Sequence, residues 1–491
     1  MRITGRLLSF GFTTVVTASL VALPATGGHA AAPHRAAGPW HLIDGSAHVM
    51  TGTPVVWENA HHVATVLWSR EPSTSQFTYE TTHIAAKGTV STTLTDVFAG
   101  GHFDSLSSEP ALLSDAGAPL VVFNGARASG QYSNSCIYGA KGGGSGAWTL
   151  QSWSLSNDCV NPKGSAGQGK NGVIAAAWGL APWVGGHGVQ YRVGTSATIP
   201  ASGADSRIPV DTHGADAAAT GVAADTAGTG HFYVAWTRVF TNNNSDGYYV
   251  EDVTAHSAAM KAPGTGTNST NRLSGFANLA IANRNTHPGV YLAYCSNAAT
   301  CHVQLWRVGA AKAMTVPGSA DSYSESISAG QSGRLWIAWF NGSTNKVSVV
   351  RTNKAVTRFG PVQTFATPCA EHGLLGLSSG SSGRLDIALQ CVANSNLRAQ
   401  EYADQVLMPL SVSLSPKTVS NSAAHSITVT VRDAGDPVAH ATVRYAGQKV
   451  STNASGQATI HVAKGTPTGS KHVSVSATDY RSGGANFQVT H

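Results

Sequence analysis

The stretch Arg334-Leu335-Trp336-Ile337-Ala338-Trp339 is apolar on both of its alternating faces after the leading arginine. A surface strand shows one polar face, so a strand apolar on both sides must be covered on both. Its closing phrase recurs as Val66-Leu67-Trp68, Val121-Val122-Phe123, Ala176-Ala177-Trp178, Val234-Ala235-Trp236, Leu292-Ala293-Tyr294 and Ile387-Ala388-Leu389. Successive closing residues stand 55, 55, 58, 58, 45 and 50 positions apart. That period suits propeller blades of roughly 40 to 50 residues with loop insertions. The expected fold class is all-β, a β-propeller of about seven four-stranded blades followed by a small β-sandwich. A parallel β-helix would need a much shorter repeat.

The flanks repeat too. A glycine-bearing turn precedes the phrase, as in Asp115-Ala116-Gly117, Gln331-Ser332-Gly333 and Ser381-Ser382-Gly383. An alternating strand follows it, at 76–82, 147–153, 189–193, 248–253, 302–308, 346–351 and 397–402. Each unit therefore reads as inner strand, turn, second strand, loop, third strand and outer strand. Residues 40–43 are expected to close the ring against the last repeat.

Arg2 and Arg6, an uncharged stretch over 7–23 and the small residues before Ala31 read as a secretory signal peptide, residues 1–30, cut after Ala30. The expected domains are then a propeller over 31–409 and a sandwich over 410–491, in a secreted, extracellular protein with no membrane span in the mature chain. The net charge of +6 is spread without a Lys/Arg run, which argues against a nucleic-acid partner. A monomer is the default expectation. The six cysteines, Cys136, Cys159, Cys295, Cys301, Cys369 and Cys391, are an even set in an exported chain. Disulfides are expected, with sequence neighbours the natural pairs. No C-x-x-C is present, so zinc or redox chemistry is not expected.

After Pro409 short strand candidates crowd together. The phrases Asp433-Ala434-Gly435-Asp436-Pro437 and Asn453-Ala454-Ser455-Gly456 make this region resemble bacterial Ig-like and carboxypeptidase-regulatory-like modules. The resemblance implies hairpin turns at both phrases and a spacer or adhesive role. The sevenfold phrase in turn resembles the sialidase-like (BNR/Asp-box-type) β-propellers over about 40–409. Two departures stand against carrying sialidase activity over. Ser328-Ala329-Gly330-Gln331-Ser332-Gly333 has the family's turn without its Asp, and Arg207-Ile208-Pro209 lies far from the signal peptide.

In a propeller the loops entering the inner strands and those joining second to third strands share one face. The first class offers Glu109, Glu325 and Glu371 as candidate carboxyl groups, with His213 and His372 beside them. A glycosidase needs two carboxyls roughly 5 to 10 Å apart; solvated loop carboxylates are the plainer reading. The second class offers Arg70, Arg127, Trp183, His187 and Arg238, within loops that include 124–146 with Tyr138. Charged and aromatic groups of this kind suit a polar ligand, and an aromatic ring can stack on a sugar. The turn 211–216 and Glu371-His372 match a calcium loop only in part, and Gly142-Gly143-Gly144-Ser145-Gly146 lacks a nucleophile elbow. No metal or cofactor is expected. The leading expectation is a non-catalytic binding protein for an extracellular carbohydrate or surface polymer; the rival is a glycoside hydrolase or lyase using carboxylates from several blades.

Overall fold

The computed structural model describes residues 39–491 apart from 51, 74–75, 99–101, 107–109, 127–136, 143–147, 153–163, 181–187, 197–205, 210–215, 240–245, 268–278, 371, 381 and 394–397. The signal-peptide segment lies outside the described residues.

The recurring phrase forms the second strand of seven antiparallel sheets among the described residues. The reason is visible in Leu335–Asn341, whose two faces feed different cores. Leu335, Ile337 and Trp339 pack with Tyr291 and Val303 of the preceding sheet. Trp336, Ala338 and Phe340 pack with Leu375 and Leu389 of the following one. Seven such cores each join two consecutive sheets, and the seventh joins Ala388 and Ala403 of the last sheet to Val66 and Trp68 of the first. Sheets that cover both faces of one another in a closed cycle form a propeller-like ring. Each large side chain so buried contributes about 1.5–3 kcal/mol.

The first strands, Val55–Glu58, Ala111–Asp115, Gly164–Gln168, Asp216–Ala224, Ala280–Asn283, Ser322–Ala329 and His372–Ser378, neighbour one another around the axis, and the last touches the first. Gly376 shows how close that contact is, because a Cβ there would collide with the carbonyl of Pro54. The ring is latched by its own N-terminal strand. His41–Asp44 pairs with Arg398–Val406 as the fourth strand of the last sheet, where residues 40–43 are expected.

One strand differs from the sequence reading. In the second sheet Ile137–Gly142 is the third strand and Trp148–Ser152 the fourth, so 147–153 is not the third strand and 124–146 is not all loop. Tyr138 explains the difference, as its ring lies 5.3 Å from Phe123 and 5.0 Å from Phe103, fully buried. An aromatic buried there ties 137–142 to the second strand.

Beyond Pro409 two further sheets share one core of Ile427, Val429, Val443, Ile460, Val473 and Phe487. Strand His425–Asp433 turns into Asp436–Pro437 with Ala434 and Gly435 both at positive φ, 49° and 90°. Residues Ala36–His491 make one compact unit. The hairpin turn itself meets the ring. Asp433 accepts hydrogen bonds from Arg351 Nη2 (2.6 Å) and the Tyr480 hydroxyl (3.0 Å), with Arg334 Nη1 at 3.2 Å. Asp436 pairs with Arg334 Nη2 at 2.7 Å.

Candidate functional site

Antiparallel order puts the first-to-second turns at one end of the ring, here the far end, and the second-to-third connections at the near end. Turns at the far mouth run from two residues (116–117) to seven (225–231). Fourth-to-first connections, which share the near end, reach eleven (153–163) and eighteen (262–279), and third-to-fourth connections at the far end reach eleven (352–362). The longest insertion therefore belongs to the near end, and binding residues on a rigid scaffold concentrate in such loops.

Between the mouths the seven first strands enclose a pocket of about 180 Å³. Its lining is mixed, with Val56, Ala111, Val222 and Leu375 among the apolar residues, and Glu325 is the one ionisable residue in it among the described residues. Glu325 sits in a bulge. Strand pairing runs Tyr323↔Phe340, then shifts before Ser326↔Ala338, and Ser324 adopts φ 53°. Bulges re-aim side chains, and this one is followed by a fully buried carboxyl. Burial pushes that carboxyl up to about 7, against the pull of the backbone N–H groups of Glu325 and Cys295. Its Oε2 has no hydrogen-bond partner among the described residues. A carboxyl titrating near neutrality can give or take a proton under physiological conditions.

The other expected residues are spread over several sheets. Arg70 ends the first sheet's second strand, where Nη1 bonds Glu80 Oε1 at 2.6 Å and Nε lies 3.6 Å from Asp44 Oδ2. Its charge is thus engaged at the latch. Arg238 is half-buried near the same end of the fourth sheet. His372 is exposed and opens the seventh sheet's first strand. Glu325 lines the waist between the mouths, and none of these three residues lines it with Glu325. Glu109, Glu371, Arg127, Trp183, His187 and His213 lie outside the described residues, as do Cys136 and Cys159. Cys295–Cys301 and Cys369–Cys391 are bonded, each pair being sequence neighbours.

A cluster the sequence reading passed over lies at the seam between the last sheet and the first. Asp386 is wholly buried and pushed up to about 7, mainly by burial, with Glu58 adding to the rise and a Gln405 hydrogen bond of 2.8 Å opposing it. Glu58 in turn bonds His62 Nδ1 (2.6 Å) and accepts from the Ser382 hydroxyl (3.0 Å). Burial raises Glu401 well above the usual range and, on the opposite face of the same strand, toward the sixth sheet, raises Asp404 to about 7. Glu80 is raised as well, by burial and despite Arg70. The available signal was an acid flanked by apolar strand residues, as in Leu385-Asp386-Ile387.

No family model matches the chain, and no curated protein matches it. Among solved structures, a protein of unknown function from Dyadobacter fermentans aligns over 75% of this chain and 98% of its own at 9% identity, with a TM-score of 0.46. The SapL1 lectin, solved with alpha methyl fucoside, covers 66% of this chain and 99% of its own at 14% identity and a TM-score of 0.40. NanB sialidase from Streptococcus pneumoniae covers 80% and 67% at 10% identity and a TM-score of 0.23. Likenesses this distant carry no functional argument.

Proposed function

We propose that this is a secreted, non-catalytic binding protein whose near mouth recognises an extracellular carbohydrate or a similar surface polymer. On this reading residues 1–30 are a signal peptide, 31–409 a seven-bladed propeller and 410–491 an Ig-like accessory module. The observation that carries it is a difference between the two mouths: the longest connection, eighteen residues over 262–279, belongs to the near end, while the first-to-second turns that frame the far mouth have at most seven. Of the described near-mouth groups, Arg238 and His372 are cationic or hydrogen-bonding, as a hydroxylated polymer requires. The sandwich is anchored by buried ion pairs, so it acts as a fixed accessory and not a swinging spacer.

On a glycan array the wild-type chain should give a defined signal, and Trp183→Ala or Arg127→Ala should remove most of it. Unchanged signals in both variants would rule out the near mouth as the binding face.

A second reading, a glycoside hydrolase, is favoured by Glu325 alone, whose carboxyl near 7 suits a general acid. It requires a second carboxyl, for which Glu109 and Glu371 are the candidates. Assayed for reducing-sugar release from polysaccharides, the wild type is expected to be inactive and Glu325→Gln to bind as the wild type does. Release that disappears in Glu325→Gln would establish the hydrolase instead.

A further inference from the structure

The far mouth of the channel widens into a pocket of about 350 Å³, continuous with the waist through Ala166, Val222 and Ile281, which line both. It stands between the second, third, fourth and fifth sheets, clear of the hairpin turn that docks on the sixth and seventh. Small-molecule pockets span roughly 300 to 1,000 Å³, so this one admits a single small ring, whereas the waist does not.

Its lining is mainly polar, with a smaller apolar part from Leu113, Ile281 and a set of alanines. Its polar groups are Gln168, Thr226, Asn283 and Asn285, with no ionisable side chain among the lining residues. These groups keep hydrogen-bonding capacity toward the cavity. Gln168 accepts from the Ser114 N–H at 3.3 Å through Oε1, leaving its amide nitrogen without a partner among the described residues. Asn285 donates to the Gly380 carbonyl at 3.2 Å, leaving its Oδ1 in the same position. Thr226 accepts from Asn283 Nδ2 at 2.8 Å and retains its own hydroxyl proton. Side-chain amides and hydroxyls offer donors and acceptors together, which is what vicinal hydroxyls demand. A charged ligand would lose its hydration here without a counter-charge. A sugar ring, most of whose edge is hydroxyl and whose C–H face is small, matches a lining that is mainly polar, uncharged and only partly apolar.

We infer that the far mouth is a second binding site, separate from the near mouth, which takes one neutral sugar residue. The short turns framing it hold it preformed, so little ordering opposes binding.

The test titrates the full chain with methyl glycosides of neutral hexoses and pentoses, followed by saturation-transfer NMR and calorimetry, with glucuronate and glucosamine as charged controls. At least one neutral glycoside should bind with a Kd on the order of 1 mM or tighter, and the charged sugars should not. Gln168→Ala, at a half-buried position, should weaken binding roughly fivefold or more. Trp183→Ala should leave it unchanged. The inference fails if no neutral glycoside binds, or if binding survives Gln168→Ala in a chain that melts like the wild type. Binding removed by Trp183→Ala and kept by Gln168→Ala would place the sugar at the near mouth, sinking this inference while leaving the proposed function standing.

Discussion

Replacing Asp433 by alanine should release the sandwich from the ring. The Asp433 and Arg351 side chains are each 1% exposed, and their 2.6 Å contact bridges the hairpin turn of one body to the third strand of a sheet in the other. The guanidinium of Arg351 also lies 4.8 Å from the Trp336 ring and 5.1 Å from the Tyr480 ring, and it donates to the Gly383 carbonyl. Arg334, 5% exposed, balances the second aspartate, Asp436. Two cations thus face two anions in a dry contact. Removing one anion strands a buried guanidinium, and a broken buried pair of this kind costs about 3–5 kcal/mol. Calorimetry should show the single transition of the wild type divide into separate ring and sandwich transitions, with protease cleavage appearing near residues 407–411. Arg432→Ala, one position away but exposed, should change neither. A single transition at the wild-type temperature in Asp433→Ala would show that the ion pairs do not hold the two bodies together.

That contact also marks where the sequence stops being legible. Asp433-Ala434-Gly435-Asp436 reads as a solvated hairpin turn, and a hairpin turn is what forms. Nothing local says that its two carboxylates meet arginines about eighty and about a hundred positions earlier, because the partners are joined by packing and not by sequence spacing. The ring was readable for the opposite reason. Its information is repeated, since every second strand needs apolar residues on both faces to fill the two cores beside it. A repeated requirement leaves a repeated phrase. The second sheet's third strand escaped because glycines and a lone tyrosine, Tyr138, stand where the other sheets show alternation. Of the candidate site, Glu325 was legible as an acid at the start of an inner strand. The bulge that buries it depends on how Ser322–Ala329 registers with its neighbour, which composition does not encode. The far-mouth pocket was invisible for a simpler reason: its polar groups are single amides and a hydroxyl in separate turns, each unremarkable alone.

The acids that the seam buries lead to the second large effect, on stability against pH. Asp386, Asp404 and Glu325 are pushed by burial up to about 7, and Glu80 and Glu401 are raised too. In the unfolded chain such groups titrate near 4. Between those values the folded protein holds protons that the unfolded chain has released, so unfolding sheds protons and stability falls as pH rises. The contribution is complete below the unfolded value and is lost as pH passes through 7. Asp115, lowered chiefly by its hydrogen bond from Lys141, acts in the opposite sense at the acid end. Each group weighs about 1.4 kcal/mol per pH unit across its window, and a chain of this size melts about 2 °C lower per kcal/mol lost. The melting temperature should therefore be highest in mild acid and should fall by roughly 15 °C from pH 5 to pH 8. Because three of the five acids, Asp386, Glu80 and Glu401, sit where the last sheet meets the first, hydrogen exchange should accelerate earliest at the latch strand His41–Asp44. Asp386→Asn keeps the shape and neutrality of the protonated acid and can still accept from Gln405. It should raise the melting temperature at pH 8 and change it little at pH 5. A wild-type melting temperature that is flat or rising between those pH values would mean that these carboxyls are already ionised in the folded ring, held by hydration and not by their neighbours.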